Sequence, residues 1–198
     1  MVIRVSSLPC TFLIGIDEAA FYGPKLDIQI KNVHGKEDTL ITIQIDMLLA
    51  KKFGMEYTDS NDQRVTPYII HRTSLGCYER TLALVLEKYA GALPLWMAPE
   101  QVRVLPIGVE HEEYAKAVRE RLEAAGIRTE VDARNEKIGY KIRQAQLEKV
   151  PYMLVVGEKE AAEGKVAVRN RGGVDLGAVS VDEFLLKALE EVRTLKLD

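Results

Sequence analysis

The chain has 198 residues, enough for one or two domains with a buried core. Its formal charge of −3 and isoelectric point near 5.8 exclude a generally basic nucleic-acid coat but leave room for a local basic patch. No apolar run approaches the roughly 20 residues of a membrane helix, and Cys10 and Cys77, with no metal-type spacing, read as reduced thiols of a cytoplasmic protein.

Residues 1–14 are apolar, without a clear cap, and read as a strand or a loosely attached leader; Leu8–Ile14 is too short and Pro-broken for a signal peptide. From Gly15 the texture changes. Gly23 and Pro24 fix a turn that aims Tyr22 and Lys25. Alternation then predicts two strands, with Leu26, Ile28 and Ile30, and later Ile41, Ile43 and Ile45, towards the core. Lys25, Asp27, Thr42, Gln44 and Asp46 fall on a shared polar face, either the solvated side of a sheet or the floor of a pocket. Met47–Phe53 reads as one helical turn, Asp59–Gln63 as a polar hairpin loop, and Tyr68, Ile69 and Ile70 as a short buried strand.

The polar cluster His71, Arg72, Thr73 and Ser74 follows, where strand gives way to helix. Tyr78, Leu82, Leu86 and Tyr89 recur at helical spacing, Val85 widens the stripe, and Gly91 with Pro94 supplies a stop. Arg80, one turn into that helix, is either a surface residue paired with a carboxylate or a fork of donors for a phosphate. A Pro-bounded connector, Leu93–Pro99, marks a domain boundary, giving expected domains 1–98 and 99–198.

Beyond it the pattern is α/β: strands at 102–107, 127–131, 152–156 and 165–169, a further strand segment at 174–178, and helices at 112–125, 135–149 and from Ser180. Asn135 is the expected cap of the second helix, and Ser180 with Glu183 a capping box for the third. Between 134 and 149, Arg134, Lys137, Lys141, Arg143 and Lys149 outnumber Glu136 and Glu148. With Lys165, Arg169 and Arg171 this is either a solvated face or a small RNA site mixing amide and cationic readers.

Several of these stretches carry a resemblance. Gly76-Cys77-Tyr78-Glu79-Arg80 ahead of an apolar helix resembles motif 3 of class II aminoacyl-tRNA synthetases. Pro-Tyr-Ile-Ile-His-Arg at 67–72, Tyr-Ala-Gly-Ala-Leu-Pro-Leu-Trp at 89–96, Val-Asp-Ala-Arg-Asn-Glu-Lys-Ile-Gly-Tyr-Lys-Ile-Arg at 131–143, and the blocks at 149–160 and 164–169 are similar to threonyl-tRNA synthetase, from about Gly15 to the C terminus. The resemblance implies an α+β remnant of the class II antiparallel catalytic sheet, then an α/β anticodon-binding domain with a mixed five-stranded sheet and three helices. It implies that Asn135, Lys137, Arg143, Glu160 and Arg169 contact anticodon bases. It further implies that Tyr22, Lys25 and Gln44 line the threonine and adenylate pocket, that Arg80 grips ATP phosphates, and that His71 is one of three zinc ligands. Read from the residues alone, His71 is a hydrogen-bonded core histidine.

Motif 1, motif 2 and the other two zinc ligands of that family have no counterpart in these residues. The expectation is therefore the C-terminal part of a threonine–tRNA ligase that binds threonine tRNA and contributes part of the ATP and threonine site. Alone it is not expected to activate threonine or to bind Mg-ATP or zinc. A homodimer is implied for the full-length family, with no membrane or DNA partner. The alternatives are a non-catalytic tRNA-binding accessory protein derived from a synthetase, and a small nucleotide-binding protein using Arg80 and Lys25.

Overall fold

The computed structural model describes residues 2–6 and 11–197; Cys10 lies outside them. The chain divides into two compact units, residues 1–89 and 90–198. Among the described residues no helix is long and apolar enough to cross a membrane.

In the first unit, β1 (Val2–Ser6), β2 (Thr11–Gly15), β3 (Lys25–Lys31) and β4 (Glu37–Asp46) are followed by the one-turn α1 (Leu49–Lys52). A small hairpin of β5 (Tyr57–Thr58) and β6 (Arg64–Val65) leads to β7 (Ile69–Arg72) and α2 (Tyr78–Tyr89). The main sheet runs β2-β1-β3-β4-β7, antiparallel except for the parallel β1–β3 pair. Of the two readings of residues 1–14, the strand reading describes 2–6 and 11–15, which pair with one another.

Burial in this unit inverts the expected faces. Asp27 and Asp46, on the polar side of β3 and β4, are 2% and 1% exposed, whereas Ile45 and Ile70 on the apolar side are 37% and 68% exposed. The physical reason is local. The backbone of residues 22–24 lies along the end of β4, where Met47 N donates to Tyr22 O at 2.9 Å and Ile45 N to Pro24 O at 3.0 Å. Those bonds extend the β3–β4 ladder, and the two carboxylates are enclosed by their own partners: Asp27 by Lys25 and Thr42, Asp46 by the Leu48 and Leu49 amides and His71. Of the expected α2 stripe, Tyr78, Leu82 and Leu86 are 75%, 56% and 42% exposed, while Val85 and Tyr89 are half-buried together with Leu84. The strand at Ile69–Arg72 is an edge strand, not a buried one.

The second unit follows the expected alternation closely. Its elements are β8 (Val102–Pro106), α3 (Glu112–Ala124), β9 (Thr129–Val131), α4 (Ile138–Leu147), β10 (Tyr152–Val156), α5 (Glu158–Glu163), β11 (Lys165–Asn170), β12 (Asp175–Ser180) and α6 (Val181–Arg193). The short α5 is additional to the three longer helices read from the sequence. The sheet order is β12-β11-β10-β8-β9, with β9, β8 and β10 parallel and β11 and β12 antiparallel, a mixed five-stranded sheet. One side carries the larger core, in which Val104, Leu154, Val156, Val166 and Val168 meet Val118 and Leu122 of α3 and Phe184 and Ala188 of α6. The other side packs Leu105, Met153 and Val155 under Ile138, Ile142 and Ala145 of α4.

Residues 90–98 are strapped onto this second unit by side-chain donors that reach their carbonyls. Lys149 donates to Ala90 O and Arg171 to Leu93 O. Gln101 Nε2 donates to Leu95 O at 2.9 Å, and Arg128 to Ala98 O through Nε at 3.0 Å and to Trp96 O at 3.1 Å. Two cations of the expected basic patch, Lys149 and Arg171, thus satisfy backbone carbonyls of this segment.

Candidate tRNA-binding and aminoacyl pocket sites

In the first unit, strand register brings the expected pocket residues together. Lys25 stands opposite Gln44 and Asp27 opposite Thr42 on β3 and β4, and Gln44 is opposite His71 across β4 and β7. Tyr22 donates its hydroxyl to Gln44 Oε1 at 2.7 Å. Lys25 Nζ lies 2.7 Å from Asp27 Oδ2, whose other oxygen accepts from Thr42 Oγ1 at 2.9 Å. Tyr22, Gln44 and His71 line one cavity of about 380 Å³, together with Phe21, Asp46 and Lys52. Arg80 does not join them. It projects from α2 into solvent, with Nη1 donating to Thr39 O at 3.1 Å.

Asp46 is the residue in this cavity to which sequence reasoning gives no role of its own. One of its oxygens accepts from Leu48 N at 2.8 Å and Leu49 N at 2.9 Å, opening α1; the other lies 3.1 Å from His71 Nε2. The Leu49 amide and then the Leu48 amide and His71 hold its carboxyl below the usual range, against the opposing effect of burial. Its signal in the sequence is an Asp three residues ahead of a helical turn, the spacing at which its oxygen reaches the first free amides. Among the described residues no group of three His, Cys, Asp or Glu converges as a metal site. His71 with Asp46 does not complete the donor set zinc requires.

In the second unit the carboxyl ends of the parallel strands β8, β9 and β10 lie at one end of the sheet. The loop 132–137 leaves β9 there and enters α4, carrying Asn135 and Lys137. Asn135 does not cap α4: the helix starts three residues later, with Lys137 at the cap position, no side-chain cap, and Lys137 O accepting from Tyr140 N at 2.8 Å. The Asn135 side chain is thereby left exposed and without a partner among the described residues. Arg143 projects from the exposed side of α4. Arg169, opposite Met153 in the register, shares the sheet face that α4 covers and lies 2.6 Å from Asp175 Oδ2. Glu160 follows β10, and its Oε2 accepts from Gly157 N at 3.1 Å, closing the start of α5.

The rest of the expected basic cluster has other work. Lys141 is buried, 3% exposed, with Nζ donating to Pro106 O at 2.9 Å. Asp132, also buried, receives Arg134 through Nε at 2.8 Å and Nη2 at 2.6 Å. Those hydrogen bonds hold its carboxyl below the ordinary 3.8 against burial, with Lys141 adding to the effect. Because the folded value lies below the unfolded one, this carboxylate stabilises fully above about pH 4, and the contribution is lost as pH falls through the folded value. Urea unfolding of Asp132→Asn is expected to give a flatter acid limb than the parent below about pH 4. Parallel acid limbs for the two proteins would contradict it.

Comparison with known proteins fits this architecture. Residues 4–89 match the model of the tRNA synthetase class II core domain (G, H, P, S and T), and residues 101–191 match that of the anticodon binding domain. The match begins nearer the N terminus than the Gly15 implied by the motifs. Threonine–tRNA ligase of Clostridium botulinum (strain Eklund 17B / Type B) is 59% identical over 178 residues, 90% of this chain and 28% of the relative. Threonine–tRNA ligase 1 of Bacillus subtilis (strain 168) is 50% identical over 177 residues, 89% of this chain and 28% of the relative. The crystal structure of the RNA binding domain of threonyl-tRNA synthetase from Cryptosporidium parvum Iowa II superimposes with a TM-score of 0.78 at 38% identity, covering 87% of this chain and 44% of that one.

A class II synthetase core segment joined to an anticodon-binding domain defines the class as the class II aminoacyl-tRNA synthetases. Within it, the chain belongs to the threonyl-tRNA synthetase family, matching the C-terminal part of those enzymes. It spans 28% of the length of the Clostridium and Bacillus relatives.

Proposed function

We propose that this chain serves as the C-terminal part of a cytoplasmic threonine–tRNA ligase in protein biosynthesis, with its functional division at 98/99. The second domain grips the anticodon loop of threonine tRNA through Asn135, Lys137, Arg143, Glu160 and Arg169. The first contributes Tyr22, Lys25, Gln44 and His71 to the wall of the threonine and adenylate pocket and Arg80 to ATP phosphate binding, within a homodimeric enzyme. In that enzyme the threonine carboxylate attacks the α-phosphate of Mg-ATP and expels pyrophosphate, and the acyl group then passes to the tRNA 3′ end with release of AMP. The chain's own part is electrostatic and positional: Tyr22 and Gln44 fix one another, and Lys25 is held in line by Asp27.

One observation carries the RNA reading. The side chains of Asn135, Lys137 and Arg143 stand exposed with no partner among the described residues, while neighbouring Arg103, Lys141 and Lys149 are spent on carboxylates or carbonyls. Cations left unpaired around an amide suit splayed bases and phosphates. The test is fluorescence anisotropy with a threonine-anticodon stem-loop beside an anticodon-swapped one, across a salt series. The parent is expected to prefer the threonine stem-loop, and Arg143→Ala to lose about 1–3 kcal/mol of binding while flattening the salt dependence by roughly one phosphate's worth. Equal affinity for the two hairpins would rule the reading out.

A further inference from the structure

Arg134 is an exposed cation of the second unit that a buried carboxylate holds in one orientation. Nε and Nη2 both engage the buried Asp132 carboxylate, at 2.8 and 2.6 Å, and the backbone N of Arg134 donates to Asp132 Oδ1 at 3.3 Å. Asp132 is itself fixed, because its backbone N donates to Val104 O at 3.0 Å. The guanidinium carbon lies 5.8 Å from the centre of the Tyr140 ring, which α4 presents at the surface. Half the Arg134 side chain is exposed. It borders an open cavity of about 570 Å³ whose wall includes Val131, Ala133 and Glu130.

A guanidinium locked by a bidentate carboxylate has little rotational freedom left to lose when a ligand settles on it, and its planar face accepts stacking from a base. Single-stranded RNA bases are taken up on such planes and on aromatic rings. The lock also sits in the loop that carries Asn135 and Lys137. A bare phosphate is a poor match for the cavity, because two of the guanidinium's nitrogens are already spent and Glu130, Asp132 and Glu148 line the same wall. Of these, Asp132 and Glu148 are already paired with Arg134 and Arg103, and Glu130 is left to accept from the N–H edge of a base.

We propose that Arg134 and Tyr140 form a further RNA subsite, in which an unstacked base of the bound loop, outside the set assigned above to Asn135, Lys137, Arg143, Glu160 and Arg169, stacks on the outer region of the Arg134–Tyr140 pair. This rests on the anticodon-binding reading, and the two fail differently.

The experiment uses the full chain and threonine-anticodon stem-loops carrying 2-aminopurine at each loop position in turn, with affinity read by anisotropy and stacking by fluorescence quenching. Arg134→Lys keeps the charge and can still pair with Asp132 but loses the plane. It is expected to weaken binding about tenfold, leave the salt slope unchanged, and restore the fluorescence of one loop position that the parent quenches. Tyr140→Ala, which leaves the Asp132–Arg134 pair in place, is expected to weaken binding about fivefold and unquench the same position. If the parent discriminates the two anticodons but both variants bind and quench as it does, the subsite is refuted and the anticodon reading stands; a lower melting temperature in either variant without those changes refutes the subsite equally. If the parent does not discriminate, the anticodon reading fails and takes the subsite with it.

Discussion

Phe184→Ala is expected to destabilise the second unit by about 3–5 kcal/mol, the usual cost of emptying a large aromatic site in a packed core. Phe184 is 1% exposed and sits in the larger cluster, where α6 meets the sheet. Its ring meets that of Tyr152 edge-on, at 5.5 Å and 82°, so removing it takes away an aromatic pair as well as apolar area. The loss reaches a polar network. Tyr152 Oη lies 3.1 Å from both oxygens of the buried Glu191 carboxylate, which Lys196 also approaches at 3.1 Å. Burial and then Glu191 push the Tyr152 phenol above its usual range, so this pair depends on keeping its partners in place. Domains of this size have roughly 5–15 kcal/mol of stability in all. Thermal unfolding followed by circular dichroism should show the midpoint falling by more than 10 °C, at about 4–8 °C per kcal/mol. Phe184→Leu, which refills much of the space, should lose far less. A shift for Phe184→Ala no larger than that of a surface substitution would contradict the assigned core.

The second unit is legible from sequence because its signals agree. The apolar run Tyr152–Val156 forms the central strand, and the Phe184 and Ala188 face is the buried side of α6, where Ser180 Oγ accepts from Glu183 N at 3.2 Å as the capping pattern predicts. Asn135 misleads because its cap chemistry is real but another residue, Lys137, turns the chain into α4. In the first unit, period-two alternation separates the faces of β3 and β4 correctly, yet alternation does not say which face another segment will cover. Here Asp27 and Asp46 are enclosed by polar partners of their own. The same limit applies to charge. A count of basic residues between 134 and 149 treats Lys141 and Arg143 alike, although one is spent on Pro106 O beneath α4 and the other is exposed at the surface. Only the three-dimensional pairing separates cations that hold the fold from those able to hold RNA.

The first unit's site depends on one close approach, and Gly23→Ala is expected to destroy it. A Cβ at Gly23 would lie 1.9 Å from Ile45 O, a backbone atom that cannot swing aside, and the residue's φ of +154° is one that side chains rarely adopt. The cost of relieving that overlap is about 4 kcal/mol or more, at the far end of single-substitution effects. From Ile14 to Tyr89, Ala50 is the hydrophobic side chain that is fully buried. Relief requires the 22–24 segment to lift off β4, breaking the bonds from Met47 N to Tyr22 O and from Ile45 N to Pro24 O, and separating Tyr22 from Gln44. Hydrogen exchange at the Ile45 and Met47 amides should therefore accelerate by about a thousandfold, since each 1.4 kcal/mol is tenfold. Gly35→Ala is the control. Its φ of +76° carries the same kind of backbone strain, but nothing lies within 4 Å of its Cβ position, so it should cost only about 1–2 kcal/mol. Were the two variants to exchange and unfold alike, strain at positive φ would account for both, and the approach of Gly23 to Ile45 would not be what holds the pocket wall in place.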